Sequence, residues 1–124
     1  MDSGATSSMI FNREMVDIEE LERPYKVVCG GSDIQVNEIG SLKKVFEHLP
    51  LPKNGYNYDE NTVANLLSLG RIANKFRVVM DTDIDDAIYV FGDDGKYLRF
   101  GKTSNNLYSC ELRTNDDKKG DCFF

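Results

Sequence analysis

The chain has 124 residues and a formal net charge of −6; 40% of its residues are hydrophobic and 29% are charged. This length suggests one domain with a modest core, and this balance is typical of a folded globular protein rather than a disordered tail. Surfaces that bind nucleic acid or anionic membranes concentrate positive charge, so the acidic balance argues against both kinds of partner.

The N-terminus carries the short motif Asp2-Ser3-Gly4-Ala5-Thr6. The carboxylate of Asp2 can hold or polarise a water molecule, and the hydroxyl of Ser3 can form a hydrogen bond beside it. Gly4 lets the backbone approach where a side chain would clash, and Ala5 keeps the next position small. The same residue types are common in turns, so the motif alone leaves a catalytic and a turn interpretation open.

The following residues predict a β-hairpin. Residues 7–24 contain a short apolar run and then an acidic stretch that ends at Pro24, which we interpret as a connector with its charges in solvent. The β-branched residues of 25–29 predict a strand, residues 30–33 a turn, and the alternation over 34–39 the returning strand.

The middle of the chain is harder to interpret. Residues 41–49 have apolar side chains at helical spacing, yet a strand that ends before Pro50 also fits. Asn61 can cap a helix, and Val63, Leu66 and Leu67 are spaced to form one apolar face. The sequence therefore predicts a short helix from Asn61 to Gly70, or one turn further.

The last third of the chain predicts a series of short strands, at 76–80, 87–91, 96–100 and 107–112, with a hairpin turn at 93–95. Residues 113–124 are charged and turn-prone, so we expect a flexible C-terminal tail. Many short strands with polar turns and one short helix predict a mainly β fold, a small closed β-barrel. The Tyr and Phe residues of these strands are expected in the barrel core.

The cysteines and the histidine give no metal or disulfide motif. Cys29, Cys110 and Cys122 are widely spaced, so we expect reduced thiols rather than a disulfide framework or a zinc site. His48 is the only histidine, and we expect an ordinary structural or surface residue. No apolar run is long enough to cross a bilayer and no secretory signal is predicted, which favours a cytoplasmic location.

An aspartate-rich segment at 81–86 is similar to the start of a calcium-binding loop. Asp86 stands where that loop needs Gly, and Gly92 stands where it needs Glu. We therefore expect a solvated turn, and no metal or other cofactor.

Five segments occur in an order that resembles one family, the protease region of Copia-type retrotransposon polyproteins. They are residues 2–7, the hairpin that ends in Glu38-Ile39-Gly40, and residues 64–72, 76–81 and 106–108. No single segment is highly specific, but the ordered set is, and it covers roughly residues 2–112.

This resemblance implies a retropepsin-like β-barrel domain over residues 1–112, followed by the tail at 113–124. Such proteases act as homodimers on polyprotein peptides, so each chain would give one catalytic carboxylate, here Asp2. Ser3, Gly4, Ala5 and Thr6 would support the active-site loop. The hairpin at 25–39 would cover the substrate, and no cofactor or metal would be needed.

The resemblance has further implications, and two departures. It favours a strand at 41–49, and it makes Asn65-Leu66-Leu67 the start of a helix packed beneath the active-site loop. Residues 61–64 replace the family's hydrophobic-hydrophobic-Gly motif, and the family has a strand before the catalytic Asp where this sequence has only Met1. The alternative expectation is a non-catalytic β-barrel interaction module derived from a transposon polyprotein.

Overall fold

The computed structural model of the protein describes residues 8–10, 13–29, 32–59, 65–113 and 119–124. Within these residues ten strands form one sheet, accompanied by one short α-helix and one 3₁₀ turn, so the mainly β prediction is confirmed. The strands are β1 Ser8–Ile10, β2 Val16–Cys29, β3 Ser32–Leu42, β4 Tyr56–Tyr58, β5 Asn65–Leu66, β6 Arg77–Met80, β7 Ala87–Phe91, β8 Tyr97–Lys102, β9 Tyr108–Arg113 and β10 Lys119–Phe123.

The strand order is β2-β3-β4-β1-β5-β10-β9-β8-β7-β6. β1 is parallel to β4 and antiparallel to β5, whereas β10 is parallel to β5 and opens an antiparallel meander that ends at β6. A closed barrel was expected, but among the described strands no pairing of β2 with β6 closes the sheet. β2 carries Pro24 and a register shift between Glu20 and Tyr25, which are features of edge strands.

The hairpin prediction is confirmed, and the hairpin is longer than expected. β2 and β3 pair from Val16 with Leu42 to Cys29 with Ser32. The interpretation of the acidic stretch as a connector is wrong for residues 16–24, which belong to β2, and the apolar run before it includes part of strand β1. An edge strand with one face in solvent tolerates acidic side chains, and those of Asp17 and the neighbouring glutamates are exposed as expected.

The strand favoured for residues 41–49 ends early. β3 stops at Leu42, and Lys44–Phe46 forms the 3₁₀ turn. Leu42 and Phe46 are both buried in the core, four residues apart. The apolar spacing that suggested a helix therefore reflects one turn that folds back onto the core.

The helix begins later than predicted. The only α-helix of the described residues, α1, is Leu69–Ala73, and Asn65 and Leu66 form strand β5 instead. Ser68 is its N-cap, since its side chain accepts a hydrogen bond from the backbone N of Arg71. Asn61, the predicted cap, lies outside the described residues.

The C-terminal meander follows the sequence prediction up to β9. The flexible tail expected over residues 113–124 is wrong for 119–124, because β10 pairs with both β9 and β5. Cys122 and Phe124 are buried and supply the apolar surface that holds this strand. The sequence did not predict this strand, because the many charged residues of 113–121 are typical of a solvent-exposed tail.

One hydrophobic core runs beneath the sheet. It includes Met15 and Val16 at one end of the strand order and Ile88 and Phe100 towards the other. The two halves of the sheet therefore share a core, although the strand order is open at β2 and β6.

Candidate functional site

The predicted site residues Asp2, Ser3, Gly4, Ala5 and Thr6 lie outside the described residues. A single residue, Ser7, separates Thr6 from β1. The structure therefore bears on this site only through the residues that follow the motif, from Ser8 onward.

Strand β1 lies in the interior of the sheet. Ser8 pairs with Tyr56 of the parallel strand β4, and Met9 pairs with Leu66 of the antiparallel strand β5. A strand with partners on both sides is restrained more strongly than an edge strand or a loop. The backbone of β1 is therefore held in place on both sides.

Four buried polar residues, Ser8, Asn57, Asn65 and Ser68, lie on β1, on its partner strands β4 and β5 and at the N-cap of α1, and we refer to them together as the buried polar cluster. The side-chain Oγ of Ser8 accepts a hydrogen bond of 2.9 Å from the backbone N of Ser68. This bond joins β1 to the N-cap of α1, sixty residues away in the chain. Buried polar groups are costly unless they are paired, so such a cluster fixes the local geometry.

The hairpin is tied to the same cluster. The hydroxyl of Tyr25, on β2, donates a hydrogen bond to Oδ1 of the buried Asn57 on β4. The side chain of Tyr25 thus reaches across β3, which lies between these two strands. The base of the hairpin predicted to cover the substrate is therefore connected to β4, the strand next to β1.

Tyr56, which precedes Asn57 on β4, is buried, and its hydroxyl acts as a donor. Its hydroxyl donates to the carbonyl O of Pro52. Burial raises the pKa of Tyr56 well above its usual value, the nearby Cys122 raises it further, and Arg71 lowers it. The hydroxyl therefore stays protonated and holds the loop before β4 rather than serving as a base.

Helix α1 is fastened to that loop by Arg71. Its guanidinium donates to the carbonyl O of Gly55 and, at 3.2 Å, to the carbonyl O of Asn54. The sequence interpretation of residues 65–67 as the helix start is wrong, but these residues do lie beside β1. Leu67 continues from β5, and its backbone N donates to the carbonyl O of Phe123.

A second feature is an aromatic face on the outer side of β6, β7 and β8. Tyr89, Phe91 and Tyr97 have ring centroids 5.7–6.2 Å apart, and the guanidinium of Arg77 lies 5.1 Å from the Phe91 ring centroid. Tyr97 is 57% exposed. The expectation that the aromatic residues fill the core is therefore wrong for these three.

The sequence contained a signal for this face. Ile88 and Val90 are fully buried and alternate with Tyr89 and Phe91, which are only partly buried. Strict alternation places the two pairs on opposite faces of the strand. Phe100 and Tyr108, by contrast, are buried as predicted.

At one end of the aromatic face, Asp85, Tyr89 and Arg99 form a hydrogen-bonded group. Nε and Nη2 of Arg99 contact the two carboxylate oxygens of Asp85 at 2.9 and 3.0 Å, and the Tyr89 hydroxyl donates to the same carboxylate. The hydrogen bonds from Arg99 and then Tyr89 lower the pKa of Asp85 to about 2. The carboxylate thus raises the pKa of Tyr89 and stays ionised itself.

The Asp-rich turn that precedes β7 matches the expectation of a solvated turn. The carbonyl O of Asp81 accepts from the backbone N of Ile84 and of Asp85, each at 3.0 Å, and Oδ1 of Asp81 accepts from the N of Asp83. Among the described residues no three His, Cys, Asp or Glu side chains are grouped to hold a metal ion.

An open groove of about 480 Å³ lies between residues 47–54 and the turn from β7 to β8. Acidic and basic side chains both line it, including Glu47, Lys53, Lys75 and Asp93. His48, the only histidine, is exposed at its rim, as the sequence predicted for a surface residue. The mixed charge selects no one class of ligand.

In the part of the chain that the structure describes, no helix has the length and apolar character needed to cross a membrane. Comparisons of this chain with protein-family models, with curated proteins and with solved structures gave no match.

Proposed function

We propose that the chain is an aspartic endopeptidase domain that cleaves a polyprotein peptide, of the kind found in the Copia-type retrotransposon polyproteins that it resembles. Asp2 supplies one carboxylate, and a second copy of the chain supplies the other. Ser3 to Thr6 support the loop that carries Asp2. The observation that carries the proposal is the restraint of β1, which begins one residue after the motif and has partners on both sides.

The chemistry needs two carboxylates close together. Like charges at short distance cannot both ionise cheaply, so the pair holds one proton between them. The ionised carboxylate takes a proton from the attacking water, and the protonated one donates to the carbonyl oxygen of the scissile bond. One motif per chain therefore requires a two-fold symmetric dimer.

The buried cluster supports the rigid placement that this chemistry demands. Catalytic groups must be held within a fraction of an ångström of their working geometry. The hydrogen bond from the Ser68 backbone to Ser8 Oγ restrains β1, and the contact of Tyr25 with Asn57 restrains the hairpin proposed to cover the substrate. Both bonds converge on β1 and its neighbour β4.

The proposal is tested with a peptide library incubated with the chain at acid and neutral pH, with cleavage read by mass spectrometry. A statine-type transition-state mimic is expected to inhibit. Asp2→Asn is expected to lower cleavage by about a thousandfold or more, since it removes the dyad charge. Asp83→Asn, which changes an exposed turn aspartate in the same way, is the matched control and is expected to keep full activity.

Two outcomes would count against the protease. Equal cleavage by Asp2→Asn and the unchanged chain would eliminate the proposed mechanism. An absence of cleavage at every pH, from a folded chain whose dimerisation is verified by sedimentation, would favour the second candidate.

The second candidate is a non-catalytic interaction module, and the aromatic face favours it. β6 is an edge strand with Arg77 exposed beside the aromatic rings. An extended acidic peptide could pair with this edge, place a carboxylate near Arg77 and lay an apolar side chain on Tyr97. Fluorescence anisotropy with such a peptide should show binding that Tyr97→Ala weakens and that replacing the peptide's acids with lysines abolishes.

A further inference from the structure

Two of the three cysteines lie directly opposite each other in the sheet. Cys110 of β9 is the register partner of Cys122 of β10. Directly opposed residues in an antiparallel pair project their side chains to the same face. That face is the inner one, because Cys122 belongs to the core and Cys110 packs against it.

The hydrogen-bond pattern gives the spacing of this pair. The backbone N of Phe124 donates to the carbonyl O of Tyr108 at 3.1 Å. Hydrogen-bonded and non-hydrogen-bonded pairs alternate, so the pair two residues along, Cys110 with Cys122, is also hydrogen-bonded, with Cα atoms about 5.5 Å apart. That separation lies within the range of about 4.4–6.8 Å that a disulfide spans.

Hydrogen-bonded register partners are too far apart for a relaxed bond. Their Cβ atoms lie towards the upper end of a range of about 4.5–5.5 Å, whereas a disulfide prefers about 3.8 Å. Closing the bond therefore draws β9 and β10 together and leaves strain in the product. Strained disulfides have higher reduction potentials and are the ones that cells open and close readily.

The two thiols differ in access. Cys110 is partly exposed, with its Sγ 3.8 Å from the carbonyl O of Glu111. Cys122 is fully buried. An oxidant in solution therefore meets Cys110 first, and Cys122 is in place to complete the reaction.

We propose that Cys110 and Cys122 form a redox-modification site that takes a low-molecular-weight disulfide, with oxidised glutathione as the probe. The Cys110 thiolate attacks one sulfur of the glutathione disulfide, forms a mixed disulfide and releases one glutathione thiolate. Cys122 loses its proton and attacks the Cys110 sulfur, which breaks the mixed disulfide and releases the second glutathione. The chain loses two hydrogens, and the oxidised glutathione becomes two molecules of reduced glutathione.

This site controls the attachment of β10. The carbonyl O of Phe123 accepts from the backbone N of Leu67 at 2.8 Å, so opening of β10 exposes that amide. A bond between Cys110 and Cys122 keeps β10 on β9. Hydrogen exchange at the Leu67 amide is therefore expected to slow by about tenfold or more in the oxidised chain.

The test uses the full chain with Cys29→Ser, which removes the third thiol. The reduced chain is equilibrated with glutathione buffers of graded potential, quenched with an alkylating reagent and weighed by mass spectrometry. We expect a product with the mass of a single chain, with no covalent link between chains, that is lighter by two hydrogens, has no alkylatable thiol, and yields a Cys110–Cys122 linked peptide after digestion.

Single variants separate the two steps. In the Cys29→Ser background, Cys122→Ala should stop at a stable glutathione adduct on Cys110, and Cys110→Ser should form no adduct under native conditions. Cys110→Ser replaces a partly exposed side chain and should leave the fold intact. The result for this variant therefore still tests the proposal if Cys122→Ala impairs folding. A lasting adduct on Cys110 with Cys122 present, links only between chains, or no oxidation would each overturn the proposal.

Discussion

Gly55 shows how one position can depend on a distant side chain. It has a backbone φ of +85°, in the left-handed region that favours glycine. A Cβ at this position would lie 2.3 Å from Nη2 of Arg71, the side chain that fastens α1 to the loop. Gly95, in the turn between β7 and β8, has a similar φ of +80° with nothing within 4 Å of such a Cβ.

We therefore predict that Gly55→Ala destabilises the protein more than Gly95→Ala. Gly95→Ala should cost about 1 kcal/mol, the penalty for a side chain at positive φ. Gly55→Ala should cost about 1 kcal/mol more, because Arg71 must give up hydrogen bonds. Urea unfolding of both variants measures the difference, and equal losses would show that Arg71 moves without cost. In an Arg71→Ala background the difference should vanish.

The ion pair of Asp85 with Arg99 predicts a pH dependence. The hydrogen bonds from Arg99 and Tyr89 hold the folded-state pKa of Asp85 at about 2, below its ordinary value of 3.8. A lowered pKa contributes stability that is fully present above the unfolded-state value and is lost as the pH falls through the folded-state value. The contribution should thus disappear between about pH 4 and pH 2.

Asp85→Asn is expected to flatten that part of the stability curve: the variant should be less stable than the original chain at neutral pH, and the difference should vanish near pH 2. The pair is partly exposed, so the effect should be small and should shrink at high salt. Thermal unfolding from pH 2 to 7 measures it, with Asp86→Asn as the neighbouring control. An Asp85→Asn curve parallel to that of the unchanged chain would contradict the assignment.

At the scale of single elements, the sequence predicts what is local. The hairpin β2–β3 and the strands β6 to β9 follow from alternation and turn residues close in the chain. The elements that were missed depend on distant partners. β5 becomes a strand because β1 and β10 flank it. Ser68 is the N-cap of α1, and its backbone N–H donates to Ser8 Oγ, which is distant in the chain.

β10 is the clearest case of a missed element, and it gives a matched test. Phe124 is 2% exposed and its ring lies 4.2 Å from that of Phe100, centroid to centroid, whereas the neighbouring Phe123 is only partly buried. Phe124→Ala should lower the free energy of unfolding by about 3–5 kcal/mol, as for other buried aromatic residues. Phe123→Ala should cost less, roughly 1 kcal/mol, because part of its side chain is already in solvent.

Denaturant unfolding of the two variants decides whether the C-terminal residues behave as a flexible tail or as a structural strand. A flexible tail requires both substitutions to be neutral. A structural β10 requires the large loss at Phe124 alone. Equal and large losses would mean that both faces of β10 are covered, which the partial exposure of Phe123 opposes.

At the scale of the whole molecule, the sequence predicts the fold class but not the closure of the sheet. Barrel closure depends on whether two edge strands far apart in the chain meet, and no local pattern encodes that meeting. The candidate site has the same limitation. The residue types at 2–6 predict a loop that carries a carboxylate. The hydrogen bond that restrains β1, in contrast, joins Ser8 to Ser68, sixty positions away in the chain.

The proposed dyad makes a prediction that only the assembled molecule can show. In this proposal each active site needs Asp2 from two chains, so a dimer of one unchanged chain and one Asp2→Asn chain should be inactive. Adding the Asp2→Asn chain should therefore inhibit the unchanged chain by forming mixed dimers. With the unchanged chain held constant, an equal amount of Asp2→Asn should reduce cleavage to about half, and a tenfold excess to about a tenth, because partners are chosen at random.

The measurement needs three conditions to be decisive. The chains are mixed above the concentration at which sedimentation shows dimers, and they are exchanged by mild denaturation and refolding. An inert protein added in the same excess controls for crowding and substrate binding, and it should leave cleavage unchanged. Full activity in the presence of excess Asp2→Asn would mean that one chain holds a complete site, which a single carboxylate motif cannot provide. Loss of activity in proportion to the mutant fraction would tie the N-terminal motif of each chain to that of its partner.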